Sequence, residues 1–247
     1  MDPYTATGLC VSTVGGLFAL LAYTVMSSVP LTALGIAAVI VGSVLMAIGR
    51  GSSVLPSGIE VALHESSLEN LSALVEEMGL RVKAIYLPSS LAEGGPLALV
   101  PVSSNPGIKV PSSRLPRRFL IRYGPRAEDV GFLISTPGSV VVRDAEVTRG
   151  TTLGNLENQL NLILVRRFYL ADSVAISEVG DDRLVVELAN PRLREKRLLV
   201  HEVLGSSLAS MAASTAAEVL GRPVVVEEEE ERRDKLVLVL RLLGEAS

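Results

Sequence analysis

Residues 3–49 read PYTATGLCVSTVGGLFALLAYTVMSSVPLTALGIAAVIVGSVLMAIG, and no charged side chain occurs between Asp2 and Arg50. A bilayer core of about 30 Å is crossed by roughly twenty apolar residues in a helix, so this stretch holds two spans. Ser27, Ser28, Val29 and Pro30 interrupt it near its middle. The reading is a transmembrane helical hairpin over residues 1–50, with spans at about 4–26 and 31–49. A secretory signal would instead need a basic start and an apolar core of roughly 7–15 residues. Here no Lys or Arg precedes Arg50.

Small residues recur along both spans: Gly8, Ser12 and Gly16 on the first, Ala38 and Gly42 on the second. Such faces let helices approach closely in lipid, so these five are the expected membrane packing residues, within the hairpin or in a homo-oligomer. Neither span holds Asp, Glu, Lys, Arg or His, which speaks against ion or proton transport by the hairpin. The positive-inside rule has one nearby charge to count, Arg50, and it places both ends of the hairpin in the cytoplasm.

All 23 Lys and Arg and all but one of the 27 acidic residues lie from Arg50 onward. Nearly two hundred residues suffice for one domain with its own core. Their slightly acidic balance argues against nucleic acid as a partner. Cys10, the one cysteine, lies in the first span, so the rest of the chain has no disulfide and no cysteine metal site. Trp is absent and Gln159 is the only glutamine, a usage compatible with a thermophile.

Residues 51–58 read as a Gly, Ser and Pro linker, and 59–247 as one soluble α+β domain with a largely antiparallel sheet and about three helices. An amphipathic helix is expected over 59–78, ended by Gly79. Short apolar runs at 82–87, 97–102, 119–123, 130–135 and 139–142 predict strands, with an irregular Pro-rich loop at 103–116. A second helix is expected at 152–171, a hairpin at 174–188 around Gly180-Asp181-Asp182, and a third helix at 198–220. Residues 223–227 and 236–242 predict a closing hairpin across a charged turn at 228–235.

Ser206, Ser207, Ser210 and Ser214 crowd the last helix, and His201 precedes them by one to two turns. A serine nucleophile needs a base to take its proton, and no nucleophile elbow or Ser-x-x-Lys pair occurs. His201, Ser206, Ser207 and Ser210 are therefore a candidate pocket, while small residues that seat the helix on the sheet are the plainer account. No catalytic residue, metal site or cofactor is assigned. Arg114, Arg117, Arg118, Arg122 and Arg126 form the densest basic segment, a candidate contact for anionic lipid or a partner.

Tyr86-Leu87-Pro88, Gly131-Phe132-Leu133-Ile134-Ser135-Thr136-Pro137-Gly138, Arg166-Arg167-Phe168, Ser206-Ser207-Leu208-Ala209 and Leu220-Gly221-Arg222-Pro223-Val224 occur in that order. In these the chain resembles a group of uncharacterised archaeal membrane proteins with two N-terminal spans and a soluble domain of unknown function. The resemblance implies the architecture and an archaeal source, and no activity. Some members of that group have cysteines where this chain has Leu204-Gly205-Ser206-Ser207, so no thiol or metal role is carried over. The expected function is a membrane-anchored cytoplasmic module that binds a protein partner or a small ligand. The alternative is a membrane-bound, hydrolase-like enzyme using His201 with a nearby Ser or carboxylate, and the reading leans away from it.

Overall fold

A computed structural model describes residues 3–51, 59–102, 110–111, 113–145, 147, 150, 152–180, 182–193 and 195–244. All of the expected linker 51–58 but Gly51, most of the Pro-rich loop and Asp181 lie outside them. Two compact units divide the chain, 1–64 and 65–247.

Helices α1 (Pro3–Thr24) and α2 (Val29–Gly51) make the hairpin of the first unit, turning where Ser27 takes a φ of 46°. Both are long and apolar enough to cross a membrane. Their seam has a spacing the sequence reading missed. Gly8, Gly15 and Ala22 are buried on α1, and Gly35 and Gly42 on α2, each set seven residues apart. A Cβ on Gly8 would lie 2.7 Å from the Gly42 carbonyl, and one on Gly15 would lie 2.8 Å from Ala38 Cβ. Ser12 donates to the Val39 carbonyl at 3.4 Å across the seam. Gly8, Ser12, Ala38 and Gly42 line this seam. Gly16 does not: its added Cβ would meet only Val39 Cγ2, at 3.9 Å. Steps of four residues drift around a helix, whereas a seven-residue repeat stays on the seam.

After α3 (Ile59–Glu77), an eight-stranded antiparallel sheet forms: β1 (Ile85–Leu87), β2 (Leu97–Pro101), β3 (Leu120–Arg122), β4 (Val130–Ile134), β5 (Ser173–Val179), β6 (Arg183–Ala189), β7 (Val224–Arg232) and β8 (Lys235–Leu242). Their order is β3-β4-β2-β1-β7-β8-β6-β5. Each half has one connectivity, a hairpin whose second strand receives the fourth strand while the third lies outside it, and the halves meet where β1 pairs with β7. The α+β architecture is as the sequence predicts.

Among the described residues five helices, against an expected three or so, follow residue 51: α3, α4 (Pro137–Asp144), α5 (Leu153–Leu160, continued by a π-helical segment to Arg167), α6 (Leu199–Leu204) and α7 (Ser207–Leu220). The strand expected at 139–142 is α4. Its start outweighs the β-branched run: the Thr136 side chain accepts from the Ser139 N–H, the Ser139 side chain accepts from the Thr136 N–H, and Pro137 fits the first turn. The helix expected at 198–220 is two, because Gly205 takes a φ of 74°. The charged turn expected at 228–235 shrinks to Arg233-Asp234, so the acidic run Glu227–Glu231 lies within β7, past a bulge between Val226 and Glu228.

Alternation along the strands sorts the core. Tyr86, Ala98, Val100, Phe132, Leu184, Val186, Leu238 and Leu240 face the helices, where Leu156, Leu160, Ile163, Leu164 and most of α7 cover them. The opposite residues of the first half, Ile85, Leu87, Leu97, Leu99, Ile121 and Leu133, form a second core with Ala92 and Leu115. In the second half that opposite face carries Glu187, Glu227 and Arg241, as expected of an antiparallel sheet with one face toward water.

Candidate functional site

The α6–α7 corner gathers the His and Ser residues that the sequence singled out. Gly205 turns the chain, Ser206 caps α7, and its Oγ accepts from the Ala209 N–H at 3.2 Å. Two carboxylates from outside the helix close its start. The Ser207 N–H and hydroxyl donate to Glu195 at 2.9 and 2.5 Å, and the Ser206 N–H donates to Glu229 on β7 at 3.0 Å. Negative charge belongs at a helix N-terminus, where unbonded N–H groups and the helix dipole both favour it.

His201 stands beside this cap. Its Nδ1 accepts from the Leu198 N–H at 3.2 Å, so in the neutral ring the proton resides on Nε2. Nε2 is buried without a hydrogen-bond partner and lies 3.6 Å from Glu195 Oε2. A serine nucleophile would donate its hydroxyl proton to the imidazole. Here Ser207 donates to the carboxylate instead, so the Ser–His pair of the hydrolase reading is not assembled.

Outside the cap opens a groove of about 440 Å³ lined by Arg81, Lys83, Glu195, Arg197, His201, Glu202, Ser206, Glu229 and Glu231 among apolar walls from Leu193, Leu208 and Leu236. Lys83 is partly committed, since its Nζ donates to the Glu227 carbonyl at 2.7 Å. A smaller recess of about 50 Å³, bounded by Leu68, Leu71 and Pro137, touches His201, Ser206, Ser207 and Ser210. Among the described residues no group of three or more His, Cys, Asp or Glu is placed to hold a metal ion.

Ser210 belongs to the core rather than to the groove. Its Oγ accepts from the Gly138 N–H at 3.2 Å, and a Cβ on Gly138 would collide with the Ser210 carbonyl. Ser214 Oγ lies against the same glycine. The serines therefore do more than fill little space, as Ser207 and Ser210 each complete a long-range hydrogen bond. Below them the buried Tyr86 hydroxyl donates to the Leu204 carbonyl at 2.5 Å. Burial pushes this phenol far above its usual range, so it stays neutral.

Three carboxylates escaped the sequence reading. Glu195, Glu229 and Glu218 each accept backbone N–H groups from distant segments, Glu218 taking the Ser89 N–H and hydroxyl at 2.7 and 2.6 Å. Their partners lie 12 to 129 residues away, and only the acidic run on β7 hinted at any of them. The five arginines Arg114, Arg117, Arg118, Arg122 and Arg126 are all exposed, around edge strand β3.

Two apolar helices long enough for a bilayer, an α+β unit and a polar groove at a helix start describe a membrane-associated protein with a candidate ligand site. The chain belongs to the family described as "Domain of unknown function (DUF7982)", which matches residues 2–241. No curated protein and no solved structure matches it.

Proposed function

We propose that the chain is a membrane-anchored module whose groove at the α6–α7 corner binds a small polar ligand. The observation that carries this reading is His201 Nε2 at the wall of the groove, a buried donor that makes no hydrogen bond among the described residues and stands 3.6 Å from Glu195 Oε2. Buried polar groups are ordinarily paired, and an orphan beside a cavity is a place for a ligand acceptor. Arg81 and Arg197 suit an anionic group, and Glu202 suits a hydroxyl or amine group of the same ligand. Support against a nucleophilic hydrolase is the direction of the Ser207 hydroxyl, toward Glu195.

Native mass spectrometry of the full chain, extracted from its own membranes, tests the groove. A bound small molecule should be present on the wild type and absent from L193W, which plugs the groove, and from H201A. The same adduct on all three, or on none, contradicts the proposal.

In this reading α1 and α2 both cross the bilayer, residues 59–247 form an autonomous domain, and that domain lies in the cytoplasm. Arg50 supports the orientation. Protease added to sealed right-side-out vesicles should spare everything beyond Arg50; digestion without lysis counts against it. Deleting residues 1–49 should release a folded, soluble product. The absence of Trp and the single Gln159 support a thermophilic source, and the sequence resemblance supports an archaeal one.

A further inference from the structure

The two edges of the sheet differ in chemistry. Edge strand β5 carries Glu178 and no basic residue. At the other edge, Arg117 and Arg118 lead into β3, Arg122 ends it, and Arg126 sits in the turn beyond. Ile121 points into the core, which leaves Leu120 56% exposed, and Phe119 next to it is 53% exposed. Phe119 is not free to fold inward, because its ring already rests on Phe132 at a centroid distance of 5.0 Å. Arg122 donates to the carbonyls of Arg126 and Pro125 at 3.1 and 2.9 Å, which fixes its side chain on the edge. Only two acids, Glu128 and Asp129, lie between Ser113 and Val130, and Asp129 is buried, accepting the Arg126 N–H at 3.0 Å.

An exposed apolar pair on an edge strand invites aggregation in water. Ringed by arginines, the same pair fits a bilayer surface, where aromatic side chains settle at headgroup depth and guanidinium groups meet lipid phosphates. We propose that the β3 edge docks on anionic lipid, with Phe119 and Leu120 entering the interface and Arg117, Arg118, Arg122 and Arg126 binding headgroups. Charge complementarity selects the lipid, and the two apolar helices keep a bilayer within reach of the chain. The inference rests on the membrane-anchored reading.

The chain lacks tryptophan, so F119W gives a single fluorescent reporter. The full chain would be reconstituted in phosphatidylcholine vesicles with and without phosphatidylglycerol, each containing brominated lipid as quencher. Quenching of F119W is expected in the anionic vesicles, lost from the zwitterionic ones, and weakened by salt as the Debye length shrinks from about 30 Å at 0.01 M to about 10 Å at 0.1 M. R117E combined with R118E, at two arginines whose side chains make no hydrogen bond to the rest of the chain among the described residues, should abolish it while the melting temperature stays unchanged. L120W repeats the test should F119W fail to fold. L17W, on α1, reports the anchor separately and should be quenched in both lipids. Quenched L17W with unquenched F119W, or equal quenching of F119W in both lipids, overturns the docking proposal and leaves the edge to an acidic protein. Unquenched L17W overturns the anchor instead.

Discussion

Helices α1 and α2 and the pair α6–α7 pass the same test of length and apolarity for a membrane span, yet they use it in opposite ways. Of the apolar stretches of α1 and α2, 22% and 11% are buried, against 83% of the one within residues 199–220. Both regions rely on small residues for close approach: Gly8, Gly15, Gly35 and Gly42 in one, Ala209, Ala213 and Ala216 in the other. They also differ in most of their polar partners, although Ser12 crosses the hairpin seam to Val39 and Thr215 on α7 bonds back to Met211. Thr13, Thr24, Thr32 and Ser43 donate to carbonyls of residues three or four back in the chain, which suits a lipid-facing surface. Ser207, Ser210 and Glu218 instead pair with residues 12, 72 and 129 positions away, Glu195 in a loop, Gly138 on α4 and Ser89 in a turn. Apolarity nominates a span, and burial separates helices whose apolar surface is left exposed from a pair seated in a protein core.

Enlarging the small residues gives the sharpest contrast. A213L or A216L should overpack the α7 contact and lower stability by about 1–3 kcal/mol in denaturant titrations. L17A, on the exposed face of α1, should leave that unfolding transition unmoved. An unaffected A213L would mean that α7 is not seated on the sheet.

Removing hydroxyls sharpens the same contrast at smaller scale. S210A leaves the buried Gly138 N–H without its acceptor and should cost about 1–3 kcal/mol. Y86F, which loses the bond to the Leu204 carbonyl, should cost about 1 kcal/mol. T13A and S43A should change nothing in the same assay. Equal effects in both regions would break the distinction.

The smallest effect concerns pH. Asp172 is held below its ordinary range, first by the Asn190 amide and then by Arg192, each donating at 2.8 Å. A carboxyl whose folded pKa is lowered adds stability above the unfolded pKa and loses it as pH falls through the folded value. The stability gap between the wild type and D172N should therefore be greatest near neutrality and shrink in acid. A gap that widens in acid would reverse the assignment.

Much of this division was legible in the residues. The uncharged run from Pro3 to Gly49 marks the hairpin, and short apolar runs mark seven of the eight strands near their observed places, with β7 running five residues beyond its expected end at Glu227. Helix α4 was misread because Val140, Val141 and Val142 favour strands on their own, and only the Thr136 cap reverses the preference. Gly15 and Gly35 were missed because a fixed step of four residues replaced the seven-residue seam. At the candidate site, His201 and the serines stood out as residue types. Glu195 and Glu229 did not, since nothing local tells a solvated glutamate from one that reaches a distant helix start. Their role is set by tertiary structure, which joins segments that local patterns describe separately.

The most direct test of the lipid assignment uses the chain's only cysteine, Cys10, which is exposed on α1. A nitroxide attached there in the full chain, reconstituted in a bilayer, can be probed by power saturation with oxygen, which collects in lipid, and with a nickel chelate, which stays in water. The account predicts high oxygen accessibility and negligible nickel accessibility. A nickel-accessible label at Cys10 would contradict it.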